Sequence, residues 1–334
     1  MAVTIKDVAK KAGTSTATVS KVMNGSYSIS EETIQRVKQA MEELNYQPNQ
    51  RARNLVNKSS QTIVFVCTLE HGSGFNNPHM FEMICGLEDM LSRREYHLVI
   101  KSISKEEARQ YILDAYDMRQ ADGFVIHASV ISPALDEVLF KNAIPHVVLG
   151  APAFNNHCCW IDVDNRLAGE LAANFLLEKG YQSLAYIGGM AEDQISMRRY
   201  EGVLMVLNEH DVILPKGYIQ QGESQCDSAY SMMESILSLK SWPDAVICAN
   251  NYMAYGCVKA LQDHKVAIPE QMAVITFDDF PFSKILKPLL TVVDIDMYDM
   301  GNQAGKYVLQ KIRKSNLYIQ SYTTLPCITE REST

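Results

Sequence analysis

Three kinds of polar side chain stand directly after apolar runs in this sequence, where a folded chain would bring them together. Arg198 and Arg199 open a helix after LAYIGG, Asn250 and Asn251 follow AVICA, and Asp278 follows AVITF. A guanidinium supplies donors, a carboxylate acceptors and an amide both, so the set can hold vicinal hydroxyls from two sides, as a sugar requires. The plainer account is local: Asn250 caps the helix that follows it, and Asp278 satisfies loop amides. The residues by themselves leave both accounts open.

Catalysis fits less well. Gly72-Ser73-Gly74 and Gly188-Gly189 fall short of G-x-G-x-x-G, and there is neither a G-K-[ST] loop nor a G-x-S-x-G elbow. Asp278-Asp279 could hold a metal, but no cluster of carboxylates or histidines accompanies it. The eight cysteines, at 67, 85, 158, 159, 226, 248, 257 and 327, form no C-x-x-C pair and have no histidine at zinc spacing. Buried structural roles are expected for them; the adjacent Cys158 and Cys159 are the one pair that invites a redox reading. The sequence therefore predicts a binding protein with no catalytic residue, metal or cofactor.

The strand ends need a scaffold, and residue 61 onward supplies one. Strand-like runs (TIVFVC, HLVIK, GFVIH, PHVVL, LAYIGG, DAVICAN, MAVITF) alternate with helical ones such as MFEMICGLEDMLSR, RLAGELAANFLLEKG and SMRRYEGVLMVLNEH. Strands this apolar are buried on both faces, which implies parallel sheets with right-handed crossovers. The units are too many for one sheet of usual width. Two similar lobes with a cleft between them follow, and ligands bind at the carboxyl ends of such strands.

The first sixty residues are of another kind. Thr4-Ile5-Lys6-Asp7 has capping-box form, Ile5, Val8, Ala9 and Ala12 recur at helical spacing, and Gly13 supplies a left-handed turn. Ser15 caps a second helix with Val19, Val22 and Met23 on its apolar face, stopped by Asn24-Gly25. Ser30 begins a third, whose stripe is Ile34, Val37, Met41 and Leu44. This is the pattern of a helix-turn-helix module, with Thr14 standing where a larger aliphatic is usual. The outward residues of the second helix are Thr16, Ala17, Ser20 and Lys21; the competing account is a three-helix bundle that binds protein. The segment Pro48–Val56 is basic, lacks an apolar stripe and is too short to be helical alone. Its Leu55 suits a wedge between base steps, though a plain flexible hinge explains the composition equally.

Charge supports the nucleic-acid account. The 334 residues carry a net charge of −8, but residues 1–58 hold +4 and the remainder −12. A basic head on an acidic body places the polyanion at the head. With 47% hydrophobic and 21% charged residues the chain is ordinary globular protein, not a disordered, disulfide-stapled or fibrous one. No apolar run resembles a signal peptide or approaches the ~20 residues of a membrane span, so a cytoplasmic protein without a membrane partner is expected.

TIKDVAKKAGTSTATVSKVMNG, SEETIQRVKQAMEELNYQPN and ARNL, taken in order, resemble the LacI/GalR family of bacterial transcriptional regulators. The resemblance implies an α/β fold class: an all-α helix-turn-helix head at 1–47, a hinge helix and linker at 48–60, and a two-lobed periplasmic-binding-protein-like effector domain with parallel sheets at 61–330. Lobe 1 is expected at about 61–160 and 292–317, and lobe 2 at about 161–291 and 318–330. The DNA-contacting positions are then Thr4, Ser15, Thr16, Ala17, Thr18, Ser20, Lys21, Asn24, Asn49, Ala52, Arg53 and Leu55. Thr16, Ala17 and Lys21 take the base-reading places and Leu55 the wedge. The family usually has Arg at Lys21; lysine is a point charge without arginine's bidentate grip on guanine, so no operator base is assigned there.

WIDVDN at 160–165, R-x-x-G at 199–202, ANNYMAYG at 249–256 and FDD at 277–279 carry the resemblance through the body. By it, Arg199, Asn250 and Asp278 contact the effector, with His79, Gly150, Ser224 and Met297 completing the pocket. Gly150, Ser224, Ile295 and Met297 depart from family side chains that are polar or aromatic, implying a roomier, less polar pocket for a sugar derivative with an apolar part. The implied partners are a pseudo-palindromic double-stranded DNA operator, a carbohydrate effector and a second copy of the chain. The C-terminal QSYTTLPCITEREST has no leucine heptad, so a homodimer is expected and not a tetramer. The function this predicts is a repressor of a carbohydrate-utilisation operon. The competing classes are an enzyme and a sugar-binding receptor on the same two-lobed fold.

Overall fold

The computed structural model describes residues 3–23, 29–46, 59–69, 78–280, 286–314, 317 and 321–334. The chain divides into two compact units, a head of Met1–Gln61 to which Arg119–Ala121 are assigned, and a body of Thr62–Met118 and Asp122–Thr334.

In the head, Thr4 precedes α1 (Ile5–Ala12). Its backbone N–H donates to Asp7 Oδ2 at 2.8 Å and its hydroxyl to the same oxygen at 2.7 Å, closing the capping box. Gly13 takes φ +65°, a left-handed turn that costs a side-chain-bearing residue more. Ser15 Oγ accepts from the Thr18 N–H at 3.1 Å and so caps α2 (Thr16–Met23). Helix α3 (Glu31–Glu43) follows Ser30 with two glutamates in its first turn, where the helix dipole favours them. Val8, Ala9, Ala12, Val19, Val37 and Ala40 form the shared core. Thr14 is half-buried, which is why a hydroxyl is tolerated there.

The body alternates as its apolar runs require. β1 (Thr62–Cys67), α4 (Pro78–Ser92), β2 (His97–Ser102), α5 (Lys105–Asp117), β3 (Gly123–His127), α6 (Pro133–Lys141), β4 (His146–Leu149) and β5 (Trp160–Val163) build the first lobe. The second holds α7 (Asn165–Glu178), β6 (Leu184–Gly189), α8 (Gln194–Glu209), β7 (Ile219–Gly222), α9 (Cys226–Leu237), β8 (Ala245–Cys248), α10 (Asn251–Asp263), β9 (Ala273–Phe277) and β10 (Thr291–Asp294). Helix α11 (Met297–Arg313) and β11 (Ser321–Thr324) return to the first lobe, and β12 (Cys327–Thr329) ends in the second. The sheet orders are β11-β5-β4-β3-β1-β2 and β12-β10-β9-β8-β6-β7. The first sheet is parallel throughout; in the second only β12 runs antiparallel, against β10. The central strands are buried on both faces, as parallel strands between helices are.

Two details differ from the sequence expectation. The lobe exchanges, expected near 160, 291 and 317, fall after Val163, Asp294 and Thr324, one short strand later each time. These strands are four residues long and partly polar (WIDV, TVVD, SYTT), so register with a neighbour and not apolar content assigns them to a sheet. Nor do Arg198 and Arg199 open their helix. Asp193 caps α8 by accepting from the Ser196 N–H at 3.1 Å, and this places Arg199 in the second turn.

Candidate functional site

A cavity of about 290 Å3 opens between the two lobes of the body, at the low end of the range for small-molecule sites. His79, Gly150, Met297 and Met300 line it from the first lobe, Arg199, Ala249, Asn250, Asp278 and Phe280 from the second. Asp162, Val163 and Asn165 line it from the first crossover between them. Asn250 and Asp278 follow the carboxyl ends of β8 and β9, where the topology opens a crevice. His79, Asn165 and Arg199 stand in the first or second turns of the helices that follow strands.

Arg199 is the centre of the arrangement and is only 3% exposed. Its Nε donates to Asn165 Oδ1 at 3.0 Å and its Nη1 to the Ala249 carbonyl at 2.7 Å. Both Nη atoms face the Asp278 carboxylate at 3.4 Å, and the guanidinium lies 4.4 Å over the Phe277 ring. The helix backbone that carries it is set by close packing. A Cβ added at Gly169 on α7 would stand 1.9 Å from the Arg199 carbonyl oxygen, so only glycine lets α7 and α8 approach this far.

Asp278 is buried and adopts φ +71°, left-handed backbone that Asp tolerates better than most residues. Asn251 holds it there, with Nδ2 donating to the carbonyls of Phe277 and Asp278 at 2.7 Å each. Burial alone would raise the Asp278 carboxyl. The Arg199 charge and the His79 hydrogen bond (Nε2 to Oδ2, 3.2 Å) reverse this and hold it at about 2. The His79 bond spans the cleft, and its ring meets Phe280 edge-on at 4.5 Å.

Of the sequence-predicted effector residues, His79, Gly150, Arg199, Asn250, Asp278 and Met297 line the cavity. Asn250 also caps α10, its Oδ1 accepting from the Met253 N–H at 2.9 Å, so the plainer account of it holds as well. Gly150 has φ +91°, and a Cβ there would stand 2.8 Å from the Ala128 Cβ, which explains why no polar side chain occupies that place. Ser224 is not among the lining residues; its hydroxyl donates to Asp193 Oδ2 at 2.8 Å, and it is Asp193 that faces the cavity. Ile295 is buried in the first-lobe core instead. Sequence reasoning missed Asp162, Asn165, His127, Asp193, Tyr252 and Phe280. Asp162 and Asn165 lay within the WIDVDN landmark, Tyr252 within ANNYMAYG, His127 at the end of GFVIH and Phe280 one residue beyond FDD; Asp193 carried no signal.

The redox reading of Cys158 and Cys159 finds no support. Both thiols are pushed up by burial, the Cys158 Sγ further by its 2.9 Å hydrogen bond to Asp136, which favours inert thiols. Among the described residues no group of His, Cys, Asp and Glu could hold a metal, and no helix is long and apolar enough to cross a membrane.

In the head, α2 turns Val19 fully into the core and leaves Thr16, Ala17 and Lys21 exposed, with Ser20 half-buried. Thr4 and Ser15 are exposed and Thr18 is half-buried, its Oγ1 3.0 Å from Ser15 Oγ. The face is small and uncharged except at Lys21, a shape that backbone and short side chains can bring close to a groove. Asn24, Asn49, Ala52, Arg53 and Leu55 lie outside the described residues.

Residues 4–49 match the model of bacterial regulatory proteins, lacI family, and residues 173–334 that of the periplasmic binding protein-like domain. The HTH-type transcriptional repressor PurR of Vibrio atlanticus (strain LGP32) is 30% identical over 99% of this chain and 98% of its own. The fold matches the lac repressor dimer bound to operator and the anti-inducer ONPF (TM-score 0.82, 20% identity, 100% of this chain and 99% of that one). It also matches the CelR–cellobiose complex (TM-score 0.72, 24% identity, 99% and 100%). Such relatives are transcriptional regulators and not enzymes, and this chain belongs with them to the lacI family, as a DNA-binding transcriptional regulator with a periplasmic-binding-protein-like effector domain.

Proposed function

We propose that this regulator binds a pseudo-palindromic operator as a homodimer and represses a carbohydrate-utilisation operon, with a small sugar or glycoside in the cleft as the effector that alters its grip on DNA. The observation that carries the effector half is the buried Arg199–Asp278 pair at the cavity, 3.4 Å apart, with Asn250 beside it. Carboxylate and amide oxygens present acceptors to ring hydroxyls, Phe280 and Tyr252 offer aromatic surface to their C–H faces, and Met83, Met297 and Met300 give the apolar wall an aglycone would meet. On the DNA side Thr16, Ala17 and Lys21 take the base-contacting roles. Thr4, Ser15, Thr18, Ser20, Asn24, Asn49, Ala52 and Arg53 position the head, and Leu55 is the minor-groove wedge.

One module contacts too few bases for useful discrimination, and two half-sites on a dimer supply the rest. Effector and operator affinities then alter each other reciprocally. Isothermal titration of the full chain against a carbohydrate panel tests the effector assignment; binding only to a nucleobase or an amino acid would reject it. Selection of bound sequences from random duplexes tests the DNA assignment, because a palindromic consensus is expected and no enrichment would end it.

A further inference from the structure

The charge of the cavity wall narrows the effector further. We propose that the cleft takes an uncharged or cationic hydroxyl-bearing molecule and rejects anions, sugar phosphates and sugar acids above all. This rests on the assignment of the cleft as the effector site.

Arg199 is the sole Lys or Arg among the described residues that line the cavity, and its donors are already engaged with Asn165, Ala249 and Asp278. A guanidinium 3% exposed and bonded on three sides is a strut between protein groups, not a receptor for an incoming anion. Three carboxylates face the same space. Asp278 is paired with Arg199 and His79. Asp193 accepts from the Ser196 N–H at 3.1 Å and the Ser224 hydroxyl at 2.8 Å. Asp162 accepts from the Ala151 N–H at 2.9 Å and the Val163 N–H at 2.8 Å. Each carboxylate has about four lone-pair positions, so Asp162 and Asp193 keep acceptor capacity for a ligand O–H or N–H.

The two histidines of the wall do not compensate: His79 Nε2 is committed to Asp278 at 3.2 Å. Burial makes His127 harder to protonate, and its Nδ1 is already 2.9 Å from Ser129 Oγ. Arg198 acts on Asp162 only through space and does not line the cavity. A phosphate ester would bring about −1.5 to −2 charges into a wall of three carboxylates and one committed guanidinium. A hydroxyl or an ammonium meets acceptors instead.

The test is titration calorimetry on the full chain with matched triplets, each a neutral sugar, its 6-phosphate and its 2-amino counterpart, starting from glucose, glucose 6-phosphate and glucosamine. Within whichever triplet binds, the phosphate is expected to be at least ~100-fold weaker than the neutral sugar, since juxtaposed like charges cost several kcal/mol, and the amine equal or tighter. The variant Asp162→Asn should narrow the gap between neutral and phosphorylated ligand. A phosphate that binds as well as or better than its neutral parent overturns the charge rule while leaving the sugar assignment standing. A neutral or cationic ligand that is not a carbohydrate supports the charge rule and removes the sugar assignment. Binding by no member of the panel, with a nucleoside monophosphate binding instead, removes both.

Discussion

The Arg199–Asp278 pair can be taken apart one charge at a time. Arg199→Met keeps most of the side-chain volume but leaves Asp278, 4% exposed, without the guanidinium that balances its charge, with the His79 ring as a hydrogen-bond partner at 3.2 Å. Stranding a buried charge in this way costs about 3–5 kcal/mol. Asp278→Asn is gentler, because Arg199 retains Asn165 and Ala249 as acceptors; about 1.5–3 kcal/mol, the worth of a hydrogen bond to a charged group, is expected. The double variant strands no charge, so its loss should fall short of the summed single losses by more than ~0.5 kcal/mol, the limit of ordinary additivity. Acid sharpens the test. Holding the carboxyl at about 2 where 3.8 is ordinary contributes on the order of 2 kcal/mol at neutral pH. Because the folded value is the lower one, that contribution is complete above pH ~4 and disappears as pH falls toward 2. Asp278→Asn should lack this part of the acid loss. Urea unfolding read by tryptophan fluorescence reports the body alone, since Trp160 and Trp242 are the only tryptophans and both lie in it. Additive single losses, together with an unchanged acid profile in Asp278→Asn, would refute the pairing as an energetic unit.

Three further outcomes follow from the same reasoning. Leu55→Ala should weaken specific operator binding by a few kcal/mol, the scale of one unstacked base step, while calorimetry finds effector binding intact; unchanged operator affinity ends the wedge assignment. Lys21→Ala should weaken binding and relax base preference at the position the lysine reads, and a loss uniform across sequences with the slope of log affinity against log salt lowered by about 1 would make it a phosphate contact instead. Gly169→Ala forces a methyl to within 1.9 Å of the Arg199 carbonyl oxygen; overpacking of about 1–3 kcal/mol should appear in unfolding together with lost effector affinity, and retained affinity would show that α8 can shift without moving the guanidinium.

The head was legible in the sequence because its signals are local. The Thr4–Asp7 box and the Gly13 turn arise from residues within a few turns of one another, and the apolar stripes that carry Val8, Val19 and Val37 each read at helical spacing within one short helix; all recur in the structure. In the body, the apolar strands were legible because burial on both faces leaves a continuous hydrophobic run. The crossover strands were not: WIDV, TVVD and SYTT carry half-polar text, and their place depends on which neighbour they pair with across the chain. The cavity divides in the same way. Asn250 and Asp278 stood at recognisable strand ends and Arg199 in the helix after one, and His127 closes the strand run GFVIH, whereas Asp193 is tied to Ser224 by a bond across 31 residues that only tertiary packing creates. Ser224 was expected to line the pocket and stands one hydrogen bond behind the cavity wall for that reason.

Why a cleft of this build should control anything at a distance follows from where its residues are rooted. A ligand shifts an equilibrium only by its difference in affinity for the two states, so contacts confined to one lobe leave lobe closure unbiased. Here the wall draws on both lobes and on the crossover itself: Asp162 and Asn165 flank the point at which the chain leaves the first sheet, and Asn165 accepts from Arg199 at 3.0 Å. Arg199 in turn reaches Asp278 at the end of β9, and Asp278 is bonded across the cleft to His79 on α4. A hydroxyl that takes His79's place on Asp278 therefore trades a bond that already joins the lobes for one that joins them through the ligand. The sign of the response then depends on which bond draws the lobes closer, which makes His79→Ala, with its effect on operator affinity measured with and without effector, the variant that separates induction from corepression.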